Sequence, residues 1–237
     1  MTENSAIIFG THQIDFSIVR RERASLEIAV EPDLRVVVAA PHDASIDAIK
    51  SKVKKRAAWV RKQQRYFSQY LPRTPDRQYV SGETHLYLGR QYRLKVEQRL
   101  EEDVKLLRGI IRVYTRNSED RDRTRKHVEA WYNKRAKIKF DERLIACLDR
   151  FPDPKKFSPK GLLVRSLKQR WGSMSPASRL LLNTRLIQAP VDAIDYVITH
   201  ELCHIEVPHH GKAFFDLLSQ VMPDWEKRKA RLEQLMS

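Results

Sequence analysis

The chain has 237 residues, and its 45 Lys and Arg against 30 Asp and Glu give a formal net charge of +15. With 41% hydrophobic and 32% charged residues, the composition is typical of a folded globular protein and argues against a disordered tail. No stretch approaches the roughly 18 apolar residues of a membrane span, and the first residues lack a signal-peptide layout. The two cysteines cannot form a disulfide framework, so we expect a cytoplasmic protein and exclude secreted toxins, receptor ectodomains and transporters.

Two segments carry the excess positive charge. Residues 46–77 contain ten Lys and Arg against two Asp, and residues 154–185 contain eight Lys and Arg and no acidic residue. Clustering of this kind predicts contact with a polyanion such as nucleic acid, or with an acidic polypeptide. In the first block, the predicted nucleic-acid contacts are Lys54, Lys55, Arg61 and Lys62. The alternative is a solvated basic helix face that only keeps the surface soluble.

The first third of the chain predicts antiparallel strands over residues 14–20, 25–30 and 35–40, where β-branched residues cluster between turns. A long helix is predicted from about residue 45 to residue 70, because apolar residues recur there at steps of three and four, interrupted by Gln64. Pro72 and Pro75 predict its end and a domain boundary. We therefore predict a strand-and-helix extension over residues 1–77 and a second domain over residues 78–237.

The second domain is predicted to begin with a hairpin over residues 79–99 and a strand pair over 103–115 that turns at Gly109. A charged helix follows over 119–149, and two further strands, 161–168 and 180–182, flank residues 170–178. The remaining chain predicts three helical pieces, 190–206, 211–222 and 224–236, separated by prolines. The predicted fold class is α+β, with a small antiparallel sheet beside the helices.

The motif that indicates chemistry is H-E-x-x-H at residues 200–204. Residues four apart share one face of a helix, so His200 and His204 can aim both imidazoles at one zinc ion, with Glu201 beside them to hold a zinc-bound water. A helix is predicted here because Pro190 suits a first turn and acidic residues follow it. The alternative is a helix whose two histidines are satisfied by neighbouring residues.

A catalytic zinc takes three protein ligands and keeps a fourth position open. His210 is the main candidate for the third ligand, because it lies six residues beyond His204, as in metzincins. Val207 stands where metzincins have a glycine, but Pro208 and Gly211 make a turn toward His210 reasonable. No Met-turn follows, which disfavours a true metzincin. The other candidates for the third ligand are Glu206, His209, Asp224 and Glu226.

Several segments together resemble the YgjP-like, SprT-related zinc metallopeptidases: residues 167–173, 182–190, 195–204, and the later His210, Phe214, Met222 and Pro223. The resemblance is strong over residues 160–225 and weaker but colinear before them. It implies a minimal zincin fold, a zinc held by His200, His204 and His210, and Glu201 as the catalytic residue. Two positions differ from the family pattern: Met174 replaces a usual Cys, and residues 207–211 replace His-Pro-Asn-His-Ser, which alters the turn before His210.

Four other residues near the motif have competing interpretations. Arg170 is a candidate to bind a substrate carboxylate or a carbonyl oxyanion, and Asn183 to hydrogen-bond a substrate backbone. The alternatives are structural: Arg170 would bridge strand and helix, and Asn183 would stabilise a turn. Trp171 and Cys203 are predicted to lie in the core rather than to bind substrate or metal.

The sequence therefore predicts a metallopeptidase with one Zn²⁺ per chain. In the expected mechanism, a zinc-bound water would be acidic enough for Glu201 to take its proton and pass it to the leaving amine. The expected partner is a polypeptide, with no membrane contact, and resemblance to SprT-type proteases adds nucleic-acid-associated proteins as a substrate class. Folding is expected to bring both basic blocks to one side of the cleft. Two alternatives remain: a metal-dependent hydrolase of a non-peptide substrate such as a nucleoside triphosphate, and a nucleic-acid-binding module with a structural zinc.

Overall fold

The computed structural model describes residues 2–31, 33–68, 77–167 and 170–236. The chain divides into two compact units, Met1–Pro75 and Asp76–Met236. Residues 69–70 of the predicted helix and the boundary prolines Pro72 and Pro75 lie outside the described residues, as do Arg73 and Lys168 of the basic blocks. The functional division after residue 77 therefore stays a prediction. None of the described helices is long and apolar enough to cross a membrane.

The first unit is a four-stranded sheet with one helix. Its strands are β1 (Thr2–Phe9), β2 (His12–Arg20), β3 (Glu27–Val30) and β4 (Val36–Ala40), in the order β1-β2-β4-β3, and its helix is α1 (Ile46–Ser68). The prediction of purely antiparallel strands is wrong, because β3 takes the edge position beyond β4, so that β2 and β4 pair in parallel. Strand β1 was not predicted, because its polar first half lacks the β-branched residues that indicate a strand.

The core of the first unit lies between α1 and the sheet. Ile46 at the start of the helix is exposed, whereas four of the apolar positions that the spacing predicted are fully buried: Ile49, Val53, Ala57 and Val60. They belong to one cluster with strand residues such as Ile14, Ile18 and Val38. Gln64, the polar interruption of the stripe, donates from its amide to the carbonyl of Leu34 at 3.1 Å, which explains how it is accommodated beside the sheet.

The second unit begins with four strands, β5 (Thr84–Tyr87), β6 (Arg90–Gln98), β7 (Asp103–Leu107) and β8 (Ile110–Thr115), in the order β5-β6-β8-β7. The predicted hairpin and the predicted strand pair are confirmed, but β6 and β8 pair in parallel. Helix α2 (Arg121–Leu148) begins where Asp120 accepts a hydrogen bond from the Arg123 amide. It buries Val128 and Trp131, whereas the apolar side chains of Ile138 and Ile145 are exposed.

A second small sheet and three helices complete the unit. The strands are β9 (Gly161–Arg165), β10 (Gly172–Met174) and β11 (Arg179–Asn183), in the order β10-β11-β9, with β11 parallel to β9. A 3-10 turn (Thr184–Gln188) leads to α3 (Val191–Cys203), α4 (Lys212–Val221) and α5 (Trp225–Met236). The fold class is α+β as predicted, but the sheets are mixed rather than antiparallel. Strand β10 was not predicted, because three residues are too short for a pattern.

Candidate metal centre

Helix α3 carries the H-E-x-x-H motif and is buried over most of its length. The turn between β5 and β6 is hydrogen-bonded to the segment that leads into α3. The amides of Leu88 and Gly89 donate to the carbonyls of Ile187 and Gln188 at 2.9 and 3.0 Å. A Cβ on Gly89 would lie 2.7 Å from Cγ and 2.9 Å from Cα of Pro190, and the φ of Gly89 is +76°. Glycine is therefore required where the hairpin meets the helix.

Asp195 fixes the middle of α3. Its carboxylate, 3% exposed, accepts two hydrogen bonds from the Arg143 guanidinium at 2.8 and 2.9 Å and one from Arg150 at 2.8 Å. Arg228 of α5 lies 3.7 Å away. From the sequence, Asp195 was predicted only as a favourable acid near the start of the helix. The structure instead makes it the shared partner of three arginines, five residues before His200.

The structure brings His200, His204 and His210 together. One ring nitrogen of each lies within 4.8 Å of the others, and the Nε2 atoms of His200 and His210 are 3.0 Å apart. His204 Nδ1 is 3.1 Å from the carbonyl of Val207, which can accept only if Nδ1 carries the proton. That tautomer leaves the Nε2 lone pair of His204 free for a metal.

The turn after α3 delivers His210 without a glycine. The Val207 amide donates to the Cys203 carbonyl at 3.0 Å, and no residue between 204 and 210, all of them described, has a positive φ. The departure at Val207 therefore causes no backbone strain. Behind the cluster lies the fully buried ring of Phe214, whose centroid is 4.9, 4.6 and 4.7 Å from those of His200, His204 and His210.

The electrostatics of this cluster suit a cation. Burial, and then proximity to His204 and His210, lowers the pKa of His200 to about 3. Burial also lowers the pKa of His210. Neutral imidazoles with converging lone pairs are the donor set that zinc takes in catalytic sites, so these residues fit the metal.

The other candidates for a third ligand lie elsewhere or have partners. Asp224 accepts from Arg228 Nε at 2.9 Å, and Glu206 pairs with Lys156 Nζ at 2.9 Å. Among the described His, Cys, Asp and Glu residues, neither these two nor His209 and Glu226 join a group that could share one ion with His200 and His204.

Glu201 lies beside the three histidines and is only 8% exposed. Burial raises the pKa of its carboxyl to about 7, against the opposing effects of a hydrogen bond from the Met174 amide and the charge of Arg170. Strand β10 passes close to it: a Cβ on Gly172 would lie 3.0 Å from Glu201 Cγ and 3.2 Å from its Oε1. A carboxyl that titrates near neutrality next to a metal-ligand cluster is suited to move a proton.

These groups line a cleft of about 540 Å³. Residues of β10 and the following turn form one wall, and α3 with the turn after it forms the other: Gly172, Ser173, Met174, Ser175, Pro176 and Ser178 against His200, Glu201, His204, Ile205, Pro208 and His210. Gly172 and the backbone of Met174 were not predicted as part of the site. The signal in the sequence was that Gly172 lies in the segment 167–173, which carried the family resemblance, and that Met174 directly follows it.

The two predicted substrate-binding residues differ in whether their polar groups already have hydrogen-bond or ion-pair partners among the described residues. Arg170 is exposed, has no ion pair among the described residues, and is near enough to Glu201 to lower its pKa. Asn183 is buried, and its amide donates to the carbonyls of Leu167 and Arg170 at 2.9 and 3.0 Å while its Oδ1 accepts from the Arg185 amide. All its bonding groups are occupied within the loop, which favours the structural alternative.

The remaining sequence-derived candidates are not among the residues that line the cleft. Cys203 is fully buried in the hydrophobic core of the second unit, and Trp171 is half-buried against that core, as expected. The four predicted nucleic-acid contacts lie on α1 in the first unit, where three are exposed and Arg61 is half-buried: Lys54, Lys55, Arg61 and Lys62.

Comparison with known proteins gives one family. The model of the family described as "YgjP-like, metallopeptidase domain" matches residues 24–235. No curated protein matches the sequence. Among solved structures, the metallopeptidase zymogen jannalysin of Methanocaldococcus jannaschii is similar, with 21% identity and a TM-score of 0.33 over 43% of this chain and 89% of that one. Because the family model spans most of the sequence, the chain belongs to the YgjP-like family and carries a metallopeptidase domain.

Proposed function

We propose that this protein is a zinc-dependent peptidase in which Glu201 is the general base. The observation that supports it is the juxtaposition in one cleft of three imidazoles and a buried carboxyl whose pKa is raised to about 7. His200, His204 and His210 would hold the metal. When bound, zinc supplies Lewis acidity that polarises a carbonyl and makes water acidic enough to lose a proton near neutral pH.

The proposed role of Glu201 follows from its surroundings. Near pH 7 a carboxyl with this pKa exists in both protonation states, so it can accept a proton from water in the cleft and return it to the leaving amine. The Met174 amide donates to the carboxylate and holds it against β10. The close approach of Gly172 leaves no room for a side chain between the strand and the carboxylate.

The edge of β10 provides a place for an extended peptide. The Trp171 carbonyl and the Ser175 amide bond toward β11, so the backbone groups of Gly172 and Met174 point the other way, into the cleft. An extended chain can pair with such a strand edge and place its scissile bond beside Glu201. Arg170 would contact a substrate carboxylate or the developing oxyanion, a role that its exposed guanidinium, without an ion pair among the described residues, supports.

The two alternative functions receive less support. A structural zinc usually has four protein ligands, whereas the group found among the described residues has three. A triphosphate requires several cations near the reacting bond. None of the residues that line the cleft is Lys or Arg, and the nearby cations are Arg170, whose charge acts on Glu201, and Lys229, whose charge acts on His200. The proposed cytoplasmic location depends on Cys147 and Cys203, which are both free and buried. A nucleic-acid-associated protein substrate is supported only by the basic blocks.

The test combines metal content with turnover. Purified protein is analysed for zinc and assayed on casein and on nucleoside triphosphates, together with the Glu201→Gln and His210→Ala variants. We expect about one zinc per chain and casein cleavage, with zinc lost in His210→Ala and retained in Glu201→Gln at a rate lower by about 10²- to 10⁴-fold. Near-normal casein cleavage by zinc-loaded Glu201→Gln would refute the general-base role, and turnover of triphosphates alone would refute the peptidase.

A further inference from the structure

Helix α1 has an outward face that the peptidase chemistry does not use. Its inward positions are fully buried against the sheet of the first unit. Facing outward, four residues at helical spacings of three or four form one row, here called the Trp59 face: Lys52, Lys55, Trp59 and Lys62. All four are exposed.

No residue that the structure describes neutralises the cations of α1. Between residues 50 and 65 the helix carries eight Lys and Arg and no acidic residue. None of the eight forms an ion pair with any residue that the structure describes, whereas many cations of the second unit, such as Arg112 and Arg123, do. An uncompensated row of charge of this length attracts a polyanion.

Trp59 indicates which class of polyanion this face of α1 would bind. Its ring is 38% exposed, unusual for a tryptophan on a helix whose apolar side is already buried. Lys55 precedes it by four residues and Lys62 follows it by three, so a cation flanks the ring on each side along the same face. An aromatic ring between cations is the arrangement that stacks an unpaired base while the flanking charges contact the phosphates.

Two other occupants fit the face less well. A membrane-binding amphipathic helix inserts its apolar face into the lipid, but here that face is packed against the sheet, with Val53 and Ala57 fully buried. Duplex nucleic acid offers phosphates to the lysines, but its bases are stacked on one another and unavailable to the Trp59 ring. An acidic polypeptide satisfies the charge and likewise leaves the exposed ring without a role.

We propose that the Trp59 face of α1 binds single-stranded nucleic acid, with the Trp59 ring stacking on a base and Lys52, Lys55 and Lys62 contacting phosphates. The inference uses only the first unit. It does not depend on the proposed peptidase activity.

The test measures binding of the full-length, zinc-loaded protein to a fluorescein-labelled oligo-dT of about 20 nucleotides and to a duplex of the same length. The charge variant carries Lys52→Gln, Lys55→Gln and Lys62→Gln. Its matched control, Lys126→Gln, Lys134→Gln and Lys137→Gln, removes the same charge from exposed lysines of α2 that have no ion pair among the described residues. Trp59→Ala and Trp59→Phe test the ring, and thermal unfolding verifies that each variant is folded.

We expect oligo-dT to bind more tightly than duplex and to quench tryptophan fluorescence. Trp59→Ala should weaken oligo-dT binding by about 5- to 150-fold, the range for loss of one stacked base, and Trp59→Phe should retain most of the affinity. The charge variant should reduce the steepness of the log–log salt dependence by up to about 2, since each phosphate contact on a single strand contributes about 0.7. The α2 control should bind like the wild type.

Four results would overturn the proposal. One is undetectable oligo-dT binding at about 50 mM salt. Another is equal loss of affinity in the charge variant and the α2 control, which would show only a net-charge effect. The third is unchanged affinity in Trp59→Ala, which would show that the ring does not stack on a base. The fourth is tighter binding to the duplex than to oligo-dT, which would assign the face to double-stranded nucleic acid.

Discussion

The Asp195 carboxylate is predicted to hold the metal-binding helix in place. Asp195→Asn preserves the size of the side chain but removes the charge that three arginines share. Arg143 and Arg150 donate three hydrogen bonds to the two oxygens of the carboxylate. In the variant only the amide oxygen can accept, and the NH₂ group, itself a donor, faces a guanidinium donor.

The expected loss of stability is about 3 kcal/mol. Breaking a fully buried ion pair costs about 3–5 kcal/mol, because the remaining charge is left without a partner. Here Asp195 is buried at 3% exposure, but the side chains of Arg143 and Arg150 are 20% and 29% exposed and can recover part of their hydration. The value should therefore fall at the lower end of that range.

The assay is equilibrium unfolding in urea at pH 7, monitored by circular dichroism and by tryptophan fluorescence. Asp192→Asn is the matched control, because Asp192 lies on the same helix and pairs with Arg231 at 2.7 Å, but at a site where the two side chains are 34% and 56% exposed. An exposed pair is worth about 0–1 kcal/mol. If Asp195→Asn lowers the free energy of unfolding no more than Asp192→Asn does, the arginine network around Asp195 does not hold α3 in place.

Further predictions address the hairpin contact, the buried histidine and the metal. Gly89→Ala should lower the free energy of unfolding in urea by more than about 2 kcal/mol, because the added Cβ would lie 2.7 Å from Pro190. Gly82→Ala is the control: Gly82 has φ +94° and nothing within 4 Å of an added Cβ, so only backbone strain of about 1–2 kcal/mol is expected. Burial lowers the pKa of His85 below its ordinary value of 6.5, so the unfolded chain takes up its proton first. The free energy of unfolding should therefore decrease as the pH falls from about 7 to about 5, and His85→Gln should make that dependence shallower. Removing metal with EDTA should lower the melting temperature, and zinc should restore it in the wild type but not in His210→Ala, as differential scanning calorimetry would show. A melting temperature that EDTA leaves unchanged would contradict a resident metal, and an unaltered pH dependence in His85→Gln would contradict the histidine argument.

Features with a repeating pattern or fixed spacing could be predicted from the sequence. The 3.6-residue period of α1 identified Ile49, Val53, Ala57 and Val60 as buried positions. The four-residue spacing of His200 and His204 put both on one face of a predicted helix, where the structure has them adjacent. Helix ends near prolines and strands around Gly89 and Gly109 were also predicted within a few residues, because local backbone preferences decide them.

Relations between segments distant in the chain were decided only by the tertiary structure. No local preference tells a strand whether its partner is parallel, so the β2–β4, β6–β8 and β9–β11 pairings were missed. The same holds for Asp195, whose arginine partners lie about 50 residues before it and 33 after it. Gly172 and Glu201 are 29 residues apart, and their contact arises only when β10 packs against α3. The choice of His210 among five candidate ligands likewise depended on where the turn after α3 ends in space. A sequence specifies which side chains a short segment offers on each face, but burial and pairing between segments decide which of those side chains meet.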